Sequence, residues 1–193
     1  MEKILKKVQK MLPLSKKEQV KFVKYGDEEQ VREYLSKKNL CCDAEVALVE
    51  RGDVDLVQFY MMYRRRFLCS DTQIALVKTK NVDLIRAFIS VDVFDCETAE
   101  EEFVKLGNEE LIKFYLENHL YPLCEEAEIE LAKNGSAEVL KIYFRENMLW
   151  RSAEIELVKR GDDELIEHYL CRYNFGAEAQ EELEKMKKIP RAE

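Results

Sequence analysis

Glycine spacing constrains this chain more than any other feature. Gly26, Gly52, Gly107, Gly135 and Gly161 share one register if Lys80 fills a sixth slot, with steps of 26, 28, 27, 28 and 26 residues. Similarity at a period of roughly 20 to 50 residues marks stacked repeats, because each unit is too small to bury its own apolar face alone. The residue after each slot is a good helix N-cap, namely Asp27, Asp53, Asn81, Asn108, Ser136 and Asp162. Its side-chain oxygen satisfies one of the free N–H groups of a first turn. Two residues further comes an acid every time (Glu29, Asp55, Asp83, Glu110, Glu138, Glu164), where the positive end of the helix macrodipole favours it. A helix therefore begins after every slot.

That second helix carries an apolar residue five after the slot (Val31, Val57, Ile85, Ile112, Leu140, Ile166) and an aromatic eight after it (Tyr34, Tyr60, Phe88, Tyr115, Tyr143, Tyr169). With the apolar residue that follows the aromatic, the spacing is helical and predicts one core-facing stripe. Upstream of the slot, Ala44, Thr72, Ala99, Ala127 and Ala153 lie eight before it, and Phe22, Leu48, Leu76, Phe103, Leu131 and Leu157 four before it. A small residue at helical spacing from a large one lets a neighbouring helix approach closely. The glycine then reads as the stop of the first helix, in a left-handed conformation.

The register runs into both ends, since Ile4, Leu5 and Val8 match a second helix and Ala179 and Leu183 match a first. The expected fold is all-α: a right-handed α-α superhelix, or solenoid, of about six 27-residue helix-turn-helix repeats in a single domain over residues 1–193. Residues 1–14 form an N-terminal half repeat, 15–176 six full repeats and 177–193 a C-terminal half repeat. Terminal units of a stack must present a polar outer face. The lysines of the first segment fit that role better than a membrane-surface helix.

The units AEIELAKNGSAEVLKIYF and AEIELVKRGDDELIEHYL resemble the paired helices of ankyrin repeats, where an alanine-rich first helix ends at a glycine and E-[LIV]-[LIV] opens the second. The likeness covers nearly the whole chain. The period is shorter than ankyrin's ~33 residues and there is no TPLH tetrapeptide. The resemblance thus implies ankyrin-like repeats without the β-hairpin finger, a helical stack nearer to HEAT-type repeats.

The net charge of −8 is unevenly spread, because residues 1–24 hold eight lysines against Glu2 and Glu18. The rest of the chain should repel nucleic acid at moderate salt. No apolar run reaches the ~20 residues of a membrane span, and the opening MEKILKKVQKML has too many lysines for a signal-peptide core. A soluble, cytoplasmic protein is expected, with no membrane partner. The six cysteines read as free thiols, since disulfide frameworks belong to small, loop-rich secreted chains.

Little chemistry is left once the repeat has accounted for its residues. Five glycines are helix stops and Gly176 stands alone, so no glycine-rich loop cradles a phosphate. His119 and His168 lie two repeats apart, too far to share a substrate. Cys41, Cys69, Cys96 and Cys124 all sit eleven before a slot, with Trp150 at that position in the last repeat. A full repeat apart is too far for disulfides or a shared zinc, so they read as small buried side chains in the inter-repeat loops, and Trp150 as a local packing change. Glu101 replaces an apolar residue seen at Val46, Ile74, Ile129 and Ile155, suggesting local exposure or distortion. No catalytic residue, metal ligand or cofactor is expected.

Binding specificity then rests on exposed columns. Six after the slot, Arg32, Gln58, Arg86, Lys113, Lys141 and Glu167 form a mostly basic line, although each basic residue can pair with the acid three residues before it. Arg64, Arg65 and Arg66 follow Tyr63 at the end of one second helix, where positive charge also suits the helix C-terminus. The expected function is a non-enzymatic protein–protein interaction scaffold that takes a protein or peptide along one face, as stacked repeats generally do. The alternative is a nucleic-acid-binding stack using the basic column.

Overall fold

The computed structural model describes residues 1–9, 12–63, 68–119 and 121–188. Among these residues there are fourteen α-helices and no strand. The chain forms two compact units, Met1–Ala99 and Glu100–Glu193, divided within α8 (Glu97–Lys105). The first unit holds α1 (Glu2–Gln9) and the pairs α2 (Lys16–Tyr25) with α3 (Glu28–Leu35), α4 (Cys42–Glu50) with α5 (Val54–Tyr63), and α6 (Ser70–Lys78) with α7 (Val82–Ile89). The second holds α9 (Glu109–Asn118), α10 (Glu125–Asn134) with α11 (Ala137–Tyr143), α12 (Arg151–Arg160) with α13 (Asp163–Leu170), and α14 (Ala177–Lys188).

Within each unit, like packs on like. In the first, α2, α4 and α6 stack as first helices and α3, α5 and α7 as second helices; in the second, α10, α12 and α14 form one layer and α9, α11 and α13 the other. This solenoid-like order follows from the columns in the sequence. Ala44, Thr72, Ala127 and Ala153 are fully buried where first helices meet, Ala99 is fully buried on α8, and Val31, Val57, Ile85 and Leu140 are fully buried under the second. All six N-caps bond as their residue types require: the side chains of Asp27, Asp53, Asn81, Asn108, Ser136 and Asp162 each accept from a backbone N–H two or three residues on.

The glycine slots are of two kinds. Gly52, Lys80, Gly107 and Gly161 are left-handed, with φ of 75°, 55°, 65° and 71°, but Gly26 and Gly135 end their helices in extended conformation. Both extended slots meet an arginine from the next repeat. Arg51 Nη1 donates to the carbonyls of Val23 and Gly26 at 2.9 Å, and Arg160 Nη1 to those of Ala132 and Gly135 at 3.4 and 2.6 Å. The guanidinium takes helix-end carbonyls that a left-handed turn would otherwise help to satisfy.

Candidate interaction surface

The basic column is consumed by the stack. Arg32 pairs with Glu28 at 3.0 Å and lies over the Phe59 ring at 4.9 Å. Lys113 reaches Glu138 at 2.8 Å and Lys141 bonds Glu164, each time the first-turn acid of the following repeat. The acid three residues before the base, expected as the partner, is replaced by one four residues before (Glu28, Glu109) or one a repeat away. Arg86 is half-buried on α7, and Arg64, Arg65 and Arg66 lie outside the described residues. Glu101 causes no distortion: its column is half-exposed throughout, and it pairs with Lys105 at 2.7 Å.

A polar column that sequence reasoning missed runs seven before the slot, half-buried at Gln19 and buried at Glu45, Gln73, Glu100, Glu128 and Glu154. In four repeats the carboxylate accepts from the tyrosine eight after the slot, as Glu45 from Tyr60 at 3.0 Å, Glu100 from Tyr115 at 2.6 Å, Glu128 from Tyr143, and Glu154 from Tyr169 at 2.8 Å. Its second oxygen accepts the backbone N–H that opens the next first helix, from Cys69, Cys124, Trp150 and Gly176 respectively. In three of them the tyrosine hydroxyl also accepts the N–H of a buried leucine, Leu40, Leu123 or Leu149. Where the aromatic is Phe88, the acid is replaced by Gln73, whose Nε2 donates to the Leu68 carbonyl at 3.0 Å and to the Asp95 carboxylate. An amide supplies the donor that the missing hydroxyl cannot.

Burial raises the Glu128 carboxyl to about 7 and pushes the Tyr143 and Tyr169 hydroxyls well above the usual phenol range. Perturbed acids in a cleft are candidate catalysts, but here both carboxylate oxygens hold the helix ladder together. The cleft of about 110 Å³ beside Glu154, lined by Arg151 and residues 176–179, is well below the ~300 Å³ of an ordinary ligand pocket. Among the described residues, no group of three His, Cys, Asp or Glu is placed to hold a metal, and no helix is long and apolar enough to cross a membrane.

The cysteine column sits at helix starts rather than deep in loops. Cys41, Cys69 and Cys124 are half-buried N-caps without a side-chain cap bond. What they contribute is the backbone N–H given to the buried column, a donor any residue has. Burial lifts the Cys124 thiol to about 12, and Cys42 and Cys171 are exposed. The His119 ring lies against Tyr115, centroids 4.4 Å apart and tilted by 56°, and burial lowers its basicity.

Large apolar side chains reach solvent at the inter-repeat connections. In the second unit, Tyr121 between α9 and α10 is 79% exposed, and Met148 and Trp150 between α11 and α12 are 61% and 54% exposed. Because α9 packs on α11 and α10 on α12, these connections are neighbours, and Ser152 Oγ ties their far ends by donating to Glu125 at 2.6 Å. In the first unit, Met62 and Tyr63 at the end of α5 and Val91 just after α7 are 71%, 61% and 47% exposed.

Comparison with family models, with curated proteins and with solved structures returned no match. The site is therefore read from the chain itself. Trp150, expected to be a packing substitution within the cysteine column, instead caps α12 with its ring half in solvent. Its signal in the sequence was its position: a tryptophan where the other repeats carry cysteine, on a backbone whose only required contribution is an N–H.

Proposed function

We propose that the chain is a non-enzymatic interaction scaffold, an ankyrin-like or HEAT-like helical stack of the cytoplasm that binds a protein or peptide along its inter-repeat edge. The observation that carries this reading is the exposure of Tyr121, Met148 and Trp150 on adjacent connections of the second unit. Tryptophan and tyrosine are enriched at the energetic centres of protein interfaces and methionine within interfaces generally, and exposed apolar patches mark binding surfaces. The buried acids favour the same reading, since their oxygens are committed to holding repeats together.

The basic column is less suited to recognition, because Lys113 and Lys141 already neutralise acids of the next repeat. Panning a random-peptide display library against the chain tests the proposal. Selected peptides should lose about tenfold or more in affinity on Tyr121→Ala with Trp150→Ala, both surface changes that spare the core. Peptides that bind the double variant as tightly as the parent would place the site elsewhere.

A further inference from the structure

The outer face of α2 differs from that of every other first helix. Positions nine, five and two before the slot are Lys17, Lys21 and Lys24 in the first repeat; no other repeat has more than one basic residue there, and the fifth carries Glu126 and Glu130. Spacing of i, i+4 and i+7 aligns the three ammonium groups along about 10 Å of one helix face. All three are exposed, and Tyr25 beside them is 66% exposed.

The acid on α2 does not cancel this charge. Glu18 turns toward Lys7 at 2.7 Å and closes the capping box with Ser15, and these bonds hold its carboxyl down at about 2. Lys24 stands 3.9 Å from Glu50 with both side chains about half exposed, a contact that water screens.

Three classes of partner present negative charge, and the geometry separates them. A membrane-surface helix must offer an apolar face to lipid, but Ile4 and Val8 of α1 and Phe22 and Val23 of α2 are buried inward. A peptide needs pockets for anchoring side chains, and this face presents lysine stems. A nucleic-acid single strand needs only a line of cations and an aromatic plane for a base, and both are present. We propose that the outer face of α2 docks single-stranded nucleic acid, with Lys17, Lys21 and Lys24 tracking phosphates and Tyr25 stacking a base. This is a second surface, independent of the inter-repeat edge and of the scaffold reading.

The test is fluorescence anisotropy of a labelled oligonucleotide against the full chain. Three phosphate contacts to a single strand give a slope of log affinity on log salt near −2, or roughly twentyfold weaker binding between about 50 and 200 mM salt. Lys17→Gln with Lys21→Gln should reduce the slope to about −0.7, and each single variant by about a third of that total, which keeps the measurement available if the double variant folds poorly. Tyr25→Ala should weaken binding about fivefold or more, and Lys113→Gln with Lys141→Gln should change nothing. No binding near 50 mM salt overturns the proposal, as does a slope insensitive to the α2 lysines or full affinity in Tyr25→Ala. So does tighter binding to phosphatidylserine vesicles or to a polyglutamate peptide of equal charge.

Discussion

The repeat around Lys80 and the repeat around Gly135 solve the same packing problem with different chemistry. The second uses Glu128 and Tyr143, an acid that accepts twice and a hydroxyl that donates once and accepts once. The first uses Gln73 and Phe88, where one amide accepts from the backbone of Asp95 and Cys96 and donates to the carbonyl of Leu68 and to the Asp95 carboxylate. The donor and acceptor count closes in each case, although not one functional group is shared. The column therefore constrains the pair rather than either residue: an acid requires a tyrosine, whereas an amide is free of that need. The repeat with Gln19 and Tyr34 agrees, since Gln19 Nε2 donates to the Leu14 carbonyl and its oxygen accepts from Cys41.

The strongest way to break this comparison is to mix the two solutions. Tyr143→Phe removes the donor to Glu128 and strands the buried N–H of Leu123, at a cost of about 2–4 kcal/mol in urea unfolding. Adding Glu128→Gln should recover about half or more of that loss, because the amide can donate as Gln73 does. The two substitutions then show favourable coupling of about 1–2 kcal/mol in a double-mutant cycle. Simple additivity would mean that the two repeats do not share a rule.

The same contrast predicts a pH dependence confined to the acid version. Burial raises Glu128 from 4.5 to about 7 in the folded chain, so between those values the native state holds a proton that the unfolded state has released. Stability from this group is complete below the unfolded value, falls as pH rises, and is gone above about 7. The amplitude is of the order of 3 kcal/mol. Glu128→Gln, tolerated because Gln19 already occupies this position beside Tyr34, should flatten that part of the profile relative to the parent. Matching slopes for both proteins between pH 4.5 and 7 would show that the carboxyl stays ionised.

How much of this was legible beforehand depended on how far each interaction reaches along the chain. Helix pairs, N-caps and apolar columns were readable because their determinants lie within a few residues, as with Asp162 capping Leu165. The buried acids were not, because glutamate is almost never buried unless paired and Glu128 finds its partner fifteen residues away. The visible signal was covariation inside the chain: the single phenylalanine in the aromatic column, Phe88, coincides with a glutamine in place of the acid. The glycine register was readable, but not which slots are extended, since that follows Arg51 and Arg160 reaching back from the next repeat. The cross-repeat partners of Lys113 and Lys141 were hidden for the same reason: they depend on how neighbouring second helices align.

A smaller effect is expected at the slot itself. Lys80 holds a left-handed φ of 55°, a conformation that costs a residue with a Cβ about 1–2 kcal/mol relative to glycine. Lys80→Gly should stabilise the chain by about 1 kcal/mol, partly offset by the greater freedom of glycine in the unfolded state. The reverse change, Gly52→Lys, should cost a similar amount, because that slot also has positive φ, at 75°, and open space where a Cβ would sit. A destabilised Lys80→Gly variant would mean that the lysine side chain contributes more than its backbone strain removes.

The smallest expected effect separates the units by charge. The first unit has eighteen Lys and Arg against sixteen Asp and Glu, the second thirteen against twenty-three. In the acidic unit Lys141 on α11 meets Glu164 on α13, so Lys141→Gln removes an attraction and leaves excess negative charge less compensated. Such exposed pairs contribute only a few tenths of a kcal/mol. The deficit should show in urea melts at low salt and vanish near 1 M, where the Debye length shrinks to about 3 Å. A deficit that survives high salt would mean that the Lys141 stem matters by packing along α11 rather than by charge.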